Sequence, residues 1–393
     1  MTSYAFPRLL SPPSHSFFLF GPRLVGKSYW LKEHFAEARR FDLLENRTFL
    51  EMSRDPQILE ARIGNPPAGT WVCLDEIQKI PSLLDEVHRL IETKKWKFAL
   101  SGSSARKLKR GGANLLAGRA ITKKMEGLSS EEMGDRFDLK GVLQWGSLPL
   151  VVLNPTNASE ILSAYVHTYI REEIKEEGIV RKTEPFIRFL EIAALLNGQQ
   201  VNKENIAREA KVPRSTVDVY FSILEDTLLG HFLPAYRPEA KVREQVHPKF
   251  YWFDGGVARS AAALLYDPLD SLWLGRALET FLFHDLRVYN HTKERHRPIF
   301  FYRTGAGAEI DFIIETKKRT SSSKPHVIAI EAKYATRWQR QWESPMRSLA
   351  ATGKVKVEKM IGVYCGKETY HFEGLDVWPV SLFLSKLFGG EIF

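Results

Sequence analysis

Cysteine is scarce in this chain of 393 residues, which contains two, Cys73 and Cys365, each inside a short apolar run. A pair allows one disulfide, but two reduced thiols agree better with so few cysteines in so long a chain. No apolar run approaches the roughly 18 residues of a membrane span. Phe17–Phe20 is far too short for the apolar part of a signal peptide. We therefore expect a soluble, cytoplasmic protein with no membrane partner.

Internal repeats and low-complexity tracts are absent from the sequence, so repeat, collagen-like and wholly disordered folds are excluded. The hydrophobic fraction of 44% and the charged fraction of 26% are those of an ordinary globular protein. At roughly 100–200 residues per domain, a chain of this length is expected to form two or three domains. Lysine and arginine exceed aspartate and glutamate by 56 to 47. This moderate positive charge allows a nucleic-acid partner without requiring one.

Three stretches differ in their hydrophobic patterns, and we interpret them as domains. Residues 1–150 alternate short apolar β-type runs with helical stretches, which is typical of a parallel sheet covered by helices. Residues 151–236 have helical periodicity throughout and include, at 201–229, the length and rhythm of a helix-turn-helix. Residues 237–393 contain aromatic β-type runs and an amphipathic helix, and are therefore expected to be α/β.

A phosphate-binding loop is the most specific motif in the sequence. Residues 21–28 satisfy the pattern G-x-x-x-x-G-K-S and stand between a predicted strand and a predicted helix. In such a loop the backbone amides and the helix N-terminus bind phosphate, the lysine contacts the β and γ phosphates, and the final hydroxyl ligates Mg²⁺. The sequence therefore predicts ATP and Mg²⁺ as cofactors. The expected contacts are Gly21, Pro22, Arg23, Leu24, Val25, Gly26, Lys27 and, on the metal, Ser28.

Two acids end an apolar strand about fifty residues further along the chain. Asp75 is expected to hold the Mg²⁺ shell and Glu76 to polarise the attacking water. Ser103 follows the next predicted strand, where its hydroxyl either contacts the nucleotide or belongs to an ordinary polar turn. Together with the phosphate-binding loop, the two acids predict ATP hydrolysis.

These motifs and several later ones resemble the AAA-type ATPases of bacteria and archaea that carry a conserved C-terminal domain. The resemblance covers nearly the whole chain and rests on residues 21–28, 74–78, 101–104, 116–119, 146–149, 169–172, 253–256, 307–311 and 331–333. It implies a homo-oligomer, a hexameric ring, in which Arg119 or Arg171 reaches toward a neighbouring subunit's nucleotide. Ser28 stands where relatives often carry Thr, and it keeps the hydroxyl that a metal ligand needs.

A run of ten cations without a single acid extends over residues 94–124. Within it, Arg106, Lys107, Lys109 and Arg110 either bind a phosphate backbone or belong to a solvated surface that is balanced by acids elsewhere. The helix-turn-helix at 201–229 likewise either contacts DNA or packs as a rigid module. DNA is the partner that we expect from these two segments.

Three acids and a lysine form a further pattern in the last third of the chain. Glu279 lies on a predicted helix, Asp311 on a strand, and Glu331 and Lys333 end the following strand. This order resembles the PD-(D/E)xK nucleases. The resemblance implies that Glu279, Asp311 and Glu331 hold Mg²⁺ while Lys333 orients or deprotonates water. Ordinary salt bridges and a nuclease fold kept for binding are the alternatives.

Together these patterns predict an α/β protein with a P-loop parallel-sheet ATPase core, a winged-helix-like helical unit and a C-terminal α/β nuclease-like domain. The leading hypothesis is an ATP-hydrolysing ring that binds, remodels or unwinds DNA, with metal-dependent cleavage by the C-terminal domain left open. The alternative is a nucleotide-dependent signalling switch that recruits a protein and carries an inert nuclease-like fold. The residues expected to take part in chemistry are Lys27, Glu76, Arg119 and Lys333.

Overall fold

A five-stranded parallel sheet forms the first unit of the structure, a computed structural model that describes residues 6–104, 106, 108, 116, 118–170, 183–238, 247–304 and 307–393. Its strands are β1 (Phe17–Phe20), β2 (Arg39–Asp42), β3 (Trp71–Asp75), β4 (Lys97–Gly102) and β5 (Ile121–Lys124). They lie in the order β2-β3-β4-β1-β5, and every neighbouring pair is parallel. The parallel sheet predicted from the alternation of strands and helices is confirmed.

Helices connect these strands and cover the sheet: α1 (Lys27–His34), α2 (Asn46–Arg54), α3 (Ile58–Ile63) and α4 (Leu83–Lys94). Strand β1 is buried along its whole length, which explains its unbroken apolar sequence. In α4 the apolar residues at helical spacing are the buried ones, so one face of the helix packs inward. Because the strands are parallel, their carboxyl ends share one edge of the sheet, where ligands bind in folds of this kind.

The middle unit is mainly helical. Its helices are α5 (Ser130–Met133), α6 (Leu139–Trp145), α7 (Pro149–Leu153), α8 (Ala158–Ala164), α9 (Thr183–Leu195), α10 (Lys203–Ala210) and α11 (Arg214–Asp226). A three-stranded antiparallel sheet accompanies them, built from β6 (Gln199–Gln200), β7 (Gly230–Leu233) and β8 (Lys249–Trp252). The uninterrupted helical periodicity predicted for residues 151–236 is therefore wrong at β6 and β7. These short strands pair only with β8, which lies further along the chain.

A mixed six-stranded sheet forms the C-terminal unit, in the order β13-β14-β12-β11-β10-β9. The strands are β9 (Ile299–Arg303), β10 (Glu309–Lys317), β11 (His326–Lys333), β12 (Lys356–Tyr364), β13 (Tyr370–Phe372) and β14 (Leu375–Pro379). Four helices belong to this part of the chain: α12 (Gly255–Ala261), α13 (Ser271–Thr292), α14 (Ser344–Ala351) and α15 (Val380–Phe388). The predicted α/β character of this region is confirmed.

Helix α13 contacts all three units. Near its middle, Thr280 Oγ1 accepts a hydrogen bond of 2.8 Å from Asn197 of the middle unit. Further along, Asp285 accepts from the backbone nitrogen and the hydroxyl of Ser130, the latter at 2.5 Å. Twelve of its 22 residues are buried, and the largest hydrophobic cluster of the structure includes residues from every unit. The helix therefore fixes the three units against each other.

The ion pair between Glu126 and Arg287 is the strongest polar contact that α13 makes. Arg287 donates from both terminal nitrogens to the two carboxylate oxygens of Glu126, at 2.8 and 2.7 Å. Burial alone would raise the pKa of Glu126, but Arg287 and nearby histidines outweigh it and lower that pKa to about 2. Glu126 follows β5 directly, so the pair fastens the edge of the first sheet to α13.

Both cysteines are free thiols, as the reduced interpretation predicted. Burial raises the pKa of the Cys73 thiol to about 11, which makes it unreactive at neutral pH. Within the described residues, no helix combines the length and apolarity that crossing a membrane requires.

We predict that Arg287→Met lowers the free energy of unfolding by about 3–5 kcal/mol, because it leaves the buried Glu126 carboxylate without its partner. Adding Glu126→Gln to this variant removes the orphaned charge and restores most of the loss. Urea denaturation of the three proteins measures both effects. A loss below about 1 kcal/mol in Arg287→Met would contradict the assignment, because that is the value of an exposed pair.

The stability that the ion pair between Glu126 and Arg287 contributes also depends on pH. The folded-state pKa of Glu126, about 2, lies below its ordinary value of 4.5, so the unfolded chain binds the proton more readily. Its stabilising contribution is complete above pH 4.5 and is lost as the pH falls toward 2. Between these pH values the wild type should therefore lose stability more steeply than Glu126→Gln/Arg287→Met.

Candidate nucleotide site and C-terminal carboxylate cluster

The loop between β1 and α1 has the geometry of an anion-binding site. Leu24 and Gly26 have φ angles of 62° and 95°, so the loop turns repeatedly and directs backbone amides inward. The first turn of α1 has no side-chain cap and no acidic residue, which leaves its amide groups available to a ligand. Gly21 is required for a different reason: an added Cβ would lie 2.1 Å from the carbonyl oxygen of Met125.

The Lys27 side chain folds back over this loop. Its ammonium donates to the carbonyl oxygens of Gly21 and Pro22, at 2.8 and 2.9 Å, and it is 6% exposed. The cation thus already lies inside the turn that is predicted to hold phosphate. Ser28 is exposed at the first turn of α1. Arg23 extends from the loop toward the middle unit, where its guanidinium lies 5.9 Å from the centre of the Tyr169 ring.

Asp75 and Glu76 stand at the carboxyl end of β3, on the same edge of the sheet as the loop. Asp75 accepts a hydrogen bond from the hydroxyl of Ser101 on β4. Glu76 has a left-handed backbone with a φ of 59°, which ends the strand and begins a short turn. Strand β4 lies between β3 and β1, and the amide of Gly21 donates to the carbonyl of Gly102 at 3.3 Å. The acids and the loop are therefore joined through β4.

Gln78, the last residue of the motif at 74–78, connects Glu76 to Ser103, a role that sequence analysis did not assign to it. Its amide nitrogen donates to the Glu76 carboxylate and, at 3.2 Å, to the Ser103 hydroxyl. The side chain is buried at 5% exposure, and its oxygen has no hydrogen-bond partner among the residues that the structure describes. An added Cβ on Gly102 would lie 2.4 Å from that oxygen, so Gly102 makes the room that Gln78 occupies. The polar turn after β4 is thus linked to the predicted catalytic acid.

Arg119 lies away from the phosphate-binding loop of its own chain. It precedes β5, whereas the loop follows the carboxyl end of the neighbouring parallel strand β1. Its guanidinium pairs with Glu92 of α4 at 2.5 Å, and 37% of the side chain is exposed. This position is compatible with a contact to a neighbouring subunit and rules out direct contact with its own nucleotide. Arg171 lies outside the described residues.

Acids pair with many of the described cations in the basic run at 94–124. The ion pairs are Lys94–Glu60, Lys95–Glu92, Arg106–Asp226, Arg119–Glu92 and Lys123–Glu294. Lys107, Lys109 and Arg110, three of the four cations that carried the DNA prediction, lie outside the described residues. The fourth, Arg106, binds the end of α11 and so joins the turn after β4 to the helix-turn-helix.

The helix-turn-helix segment itself is not basic. Residues 201–229 contain four cations and five acids. On the two helices, Lys203 pairs with Asp218 at 2.5 Å, and Arg214 lies 3.9 Å from Glu204. Such a surface offers little attraction to a phosphate backbone.

The three C-terminal acids lie in one group of side chains. Asp311 on β10 and Glu331 on β11 contact each other's strands: Asp311 accepts from the amide of Ala332 at 2.9 Å, and Glu331 from the amide of Asp311 at 3.4 Å. Lys333 pairs with Glu331 and lies 3.9 Å from Asp311. Glu279 on α13 completes the group through a shared contact with Lys249.

Lys249 and Glu309 belong to this group although sequence analysis did not identify them. The Lys249 ammonium lies 2.5 Å from Glu309, 3.4 Å from Glu279 and 3.8 Å from Asp311. We call these six residues the C-terminal carboxylate cluster: Glu279, Glu309, Asp311, Glu331, Lys249 and Lys333. Four carboxyl groups thus share two ammonium groups. A cavity of about 420 Å³ between the middle unit and α13 opens onto the cluster.

Burial and mutual repulsion raise the pKa values of two acids in this cluster. Burial, and then the charge of Asp311, raise the pKa of Glu279 to about 7. The same two causes raise the pKa of Glu331 well above its ordinary value. Burial lowers the pKa of Lys249, but Tyr251 and the surrounding acids outweigh it and leave that pKa raised. The lysines therefore stay charged, and they supply the positive charge that the acids need.

The residues of the cluster do not fit a magnesium site. Among the described residues, no group of three or more His, Cys, Asp or Glu side chains is arranged to hold a metal ion. Lys249 stands where the oxygens of Glu279, Glu309 and Asp311 converge. By contrast, the phosphate-binding loop fits the phosphates of ATP, since it presents backbone amides and a buried lysine. Ser28 and Asp75 carry oxygen ligands of the kind that Mg²⁺ prefers.

Comparison with known families assigns the first unit. Residues 14–134 match the family model described as "AAA domain". The first unit is an AAA domain. Residues 136–268 match "Domain of unknown function (DUF8612)", and residues 274–383 match "Domain of unknown function (DUF4143)". The chain therefore combines an AAA-type P-loop ATPase domain with two domains whose family descriptions state no function.

Individual relatives are distant. An uncharacterised protein of Haemophilus influenzae (strain Rd) is 24% identical over 222 residues, which span 52% of this chain and 56% of that protein. Two solved structures from Aeropyrum pernix are similar to parts of the chain. The ORC1 protein in complex with DNA has a TM-score of 0.25 at 13% identity and covers 66% of this chain and 88% of its own. The ORC2 protein in its ADP form has a TM-score of 0.29 at 11% identity and covers 68% and 89%.

We predict that Gln78→Ala lowers the kcat of the AAA domain for ATP by roughly 10- to 100-fold, because Glu76 loses the contact that fixes its position. The KM for ATP should change little, since Gln78 does not touch the loop. Gly102→Ala should give a similar loss, because its methyl group would displace the Gln78 amide. Steady-state hydrolysis assays measure both parameters.

The double variant provides the control. Once Gln78 is Ala, the methyl group at position 102 meets no amide, so Gln78→Ala/Gly102→Ala should be no slower than Gln78→Ala alone. Additive losses would show that Gly102 acts by another route, and an unchanged kcat in Gln78→Ala would remove the positioning role.

Proposed function

We propose that this chain is an ATP-hydrolysing machine of the AAA type whose subunits act as a ring. The observation that carries the proposal is the connection of Asp75, Glu76 and Ser103 to the phosphate-binding loop across β4. A loop that binds phosphate, a candidate metal ligand and a candidate base thus share one edge of the sheet. This is the arrangement that phosphoryl transfer to water needs, because its catalysis is mainly positioning and charge stabilisation.

Each residue has a defined task in this proposal. Lys27, already inside the loop, neutralises the β and γ phosphates, and the backbone amides of residues 24–28 donate to phosphate oxygens. Ser28 and Asp75 would hold Mg²⁺, which supplies positive charge to the phosphates when bound. Glu76 accepts the proton of the attacking water, and Gln78 holds Glu76 in place. Ser103 accepts from the same Gln78 amide nitrogen as Glu76, so a change near the nucleotide can reach Glu76.

The position of Arg119 supports the ring. It cannot serve its own nucleotide, but it is partly exposed on the opposite edge of the sheet, where a neighbouring subunit can approach it. An arginine supplied across an interface stabilises the charge that develops on the phosphates during hydrolysis. A hexamer is the ring size that the resemblance to AAA-type ATPases implies.

DNA is the target that we propose for this machine, on the basis of the cation-rich sequence around residues 106–110. The middle unit would then be a winged-helix-like module, with the three-stranded sheet beside α10 and α11 as its wing. Metal-dependent cleavage and the nuclease-like assignment of the C-terminal unit have weaker support, because Lys249 lies among the acids that would have to hold the metal.

A nucleotide-dependent switch that recruits a protein is the second candidate. The acids that pair with Lys94, Lys95, Arg106, Arg119 and Lys123, and the excess of acids over cations in residues 201–229, favour it. In that case α10 and α11 pack as a rigid module, and the contact of Arg106 with α11 transmits the nucleotide state to the middle unit.

We predict that Lys27→Ala abolishes ATP hydrolysis, mainly through lost binding, because it removes the cation from the phosphates. Glu76→Gln should bind ATP normally and lose roughly 10²–10⁴-fold in kcat, because the carboxamide cannot accept the proton. Nucleotide-binding fluorescence and phosphate release distinguish the two. Hydrolysis by Glu76→Gln at the wild-type rate would reject the role of Glu76.

The same assays test the ring. Arg119→Ala should bind ATP and hydrolyse it roughly 10³–10⁵-fold more slowly, and mixing it with Lys27→Ala should restore part of the activity at mixed interfaces. Glu92→Ala is the matched control, since it breaks the same surface ion pair and leaves the arginine in place. Equal losses in both variants, or no rescue on mixing, would count against the interface role.

We predict that DNA stimulates ATP hydrolysis and that the stimulation falls as salt is raised, because counterion release drives phosphate contacts. A panel of single strand, duplex, fork and four-way junction identifies the preferred form. Lys107→Glu/Arg110→Glu should lose the stimulation and keep the basal rate. If no member of the panel binds or stimulates, the protein-recruiting switch becomes the better description.

A further inference from the structure

Lys249 places an ammonium group at the centre of the C-terminal carboxylate cluster. Its nitrogen lies 2.5 Å from Glu309, 3.4 Å from Glu279 and 3.8 Å from Asp311, and the residue is 3% exposed. Oxygens from three carboxylates around one point form the environment that a divalent cation prefers. Here a lysine of the chain itself occupies that point.

The surroundings of Lys249 suit an ammonium group better than a metal ion. The ring of Phe301 faces the nitrogen, with its centre 5.5 Å away, and an aromatic face attracts an ammonium group without supplying a metal ligand. The adjoining cavity carries two further cations in its wall, Arg276 and Arg303. The positive charge of these guanidinium groups repels a divalent cation that enters the cavity.

We propose that the Lys249 ammonium is the resident cation of the C-terminal carboxylate cluster and excludes Mg²⁺ and Mn²⁺ from it. The ammonium group occupies the point at which the oxygens of Glu279, Glu309 and Asp311 converge, so a metal ion could bind there only by displacing it. The resemblance to metal-dependent nucleases therefore extends to the positions of the acids and not to the metal. This inference does not depend on ATP hydrolysis or on DNA as the target.

Lys249 belongs to a different unit of the structure from the acids that surround it. It belongs to β8, in the small sheet of the middle unit, whereas the acids lie on α13, β10 and β11. Tyr251 on the same strand donates to Glu279 at 3.1 Å, so β8 holds the cluster at two points. Whether the acids are available to a metal ion thus depends on the contact between the middle sheet and α13.

Manganese titration tests the proposal on the full-length chain, without nucleotide and in the Lys27→Ala background, so that the phosphate-binding loop contributes no metal site. By calorimetry the parent should show no saturable Mn²⁺ binding. Lys249→Gln should bind Mn²⁺, and at roughly 100-fold excess over Kd its Tm should rise by about 2–4 °C. Adding Asp311→Asn should remove both signals. Lys249→Arg keeps the charge and should resemble the parent.

Two results would overturn the proposal. One is saturable Mn²⁺ binding by the parent that Asp311→Asn removes, because Lys249 then does not exclude the metal. The other is a folded Lys249→Gln, confirmed by Lys249→Met, that binds no Mn²⁺. If both variants fold only when Mn²⁺ is present, the metal has replaced the missing ammonium and the proposal is supported. If neither variant folds, the Mn²⁺ titration of the parent decides between the two outcomes, because saturable binding that Asp311→Asn removes would still reject the proposal.

Discussion

The buried ion pair between Glu126 and Arg287 is the contact on which the arrangement of the units depends. It joins the segment that follows β5 to α13, and Met125, one residue earlier, sets how closely Gly21 can approach. The opposite half of α13 carries Glu279 to Lys249. Glu279 and Arg287 stand eight residues apart on this helix, about 12 Å along its axis, so one rigid element joins the end of β5 to the C-terminal carboxylate cluster.

Two of the motifs on which the resemblance to AAA-type ATPases rests, residues 146–149 and 253–256, have a structural role. Asp254 accepts from the amide and the hydroxyl of Ser147, at 2.6 and 3.1 Å, and from the amide of Val257 at 2.9 Å. A Cβ on Gly146 would lie 2.1 Å from the Asp254 carboxylate, so only glycine fits there. Two motifs that stand about a hundred residues apart in sequence are therefore the two halves of one packing contact.

Motifs built from residues close together in the sequence could be predicted. Contacts between side chains from distant segments could mostly not be predicted. The phosphate-binding loop, Asp75 and Glu76 could be predicted from local spacing. The order of Glu279, Asp311 and Glu331 along the chain was enough to predict that these acids form one group. Lys249 could not be predicted, because it comes from the sheet of a different unit and no spacing links it to Asp311. Gln78 belongs to the motif at residues 74–78, but the sequence assigned it no role, because its contact with Ser103 is visible only in the structure.

The partners of the AAA domain are synthesised late. Glu126 meets Arg287 across 161 residues, and Ser130 meets Asp285 across 155. Domains generally fold as they leave the ribosome, N-terminal first. During translation, therefore, the first sheet emerges before the arginine that pairs with Glu126 and before the aspartate that binds Ser130. The contacts that hold the end of β5 against α13 can form only when most of the chain has been made.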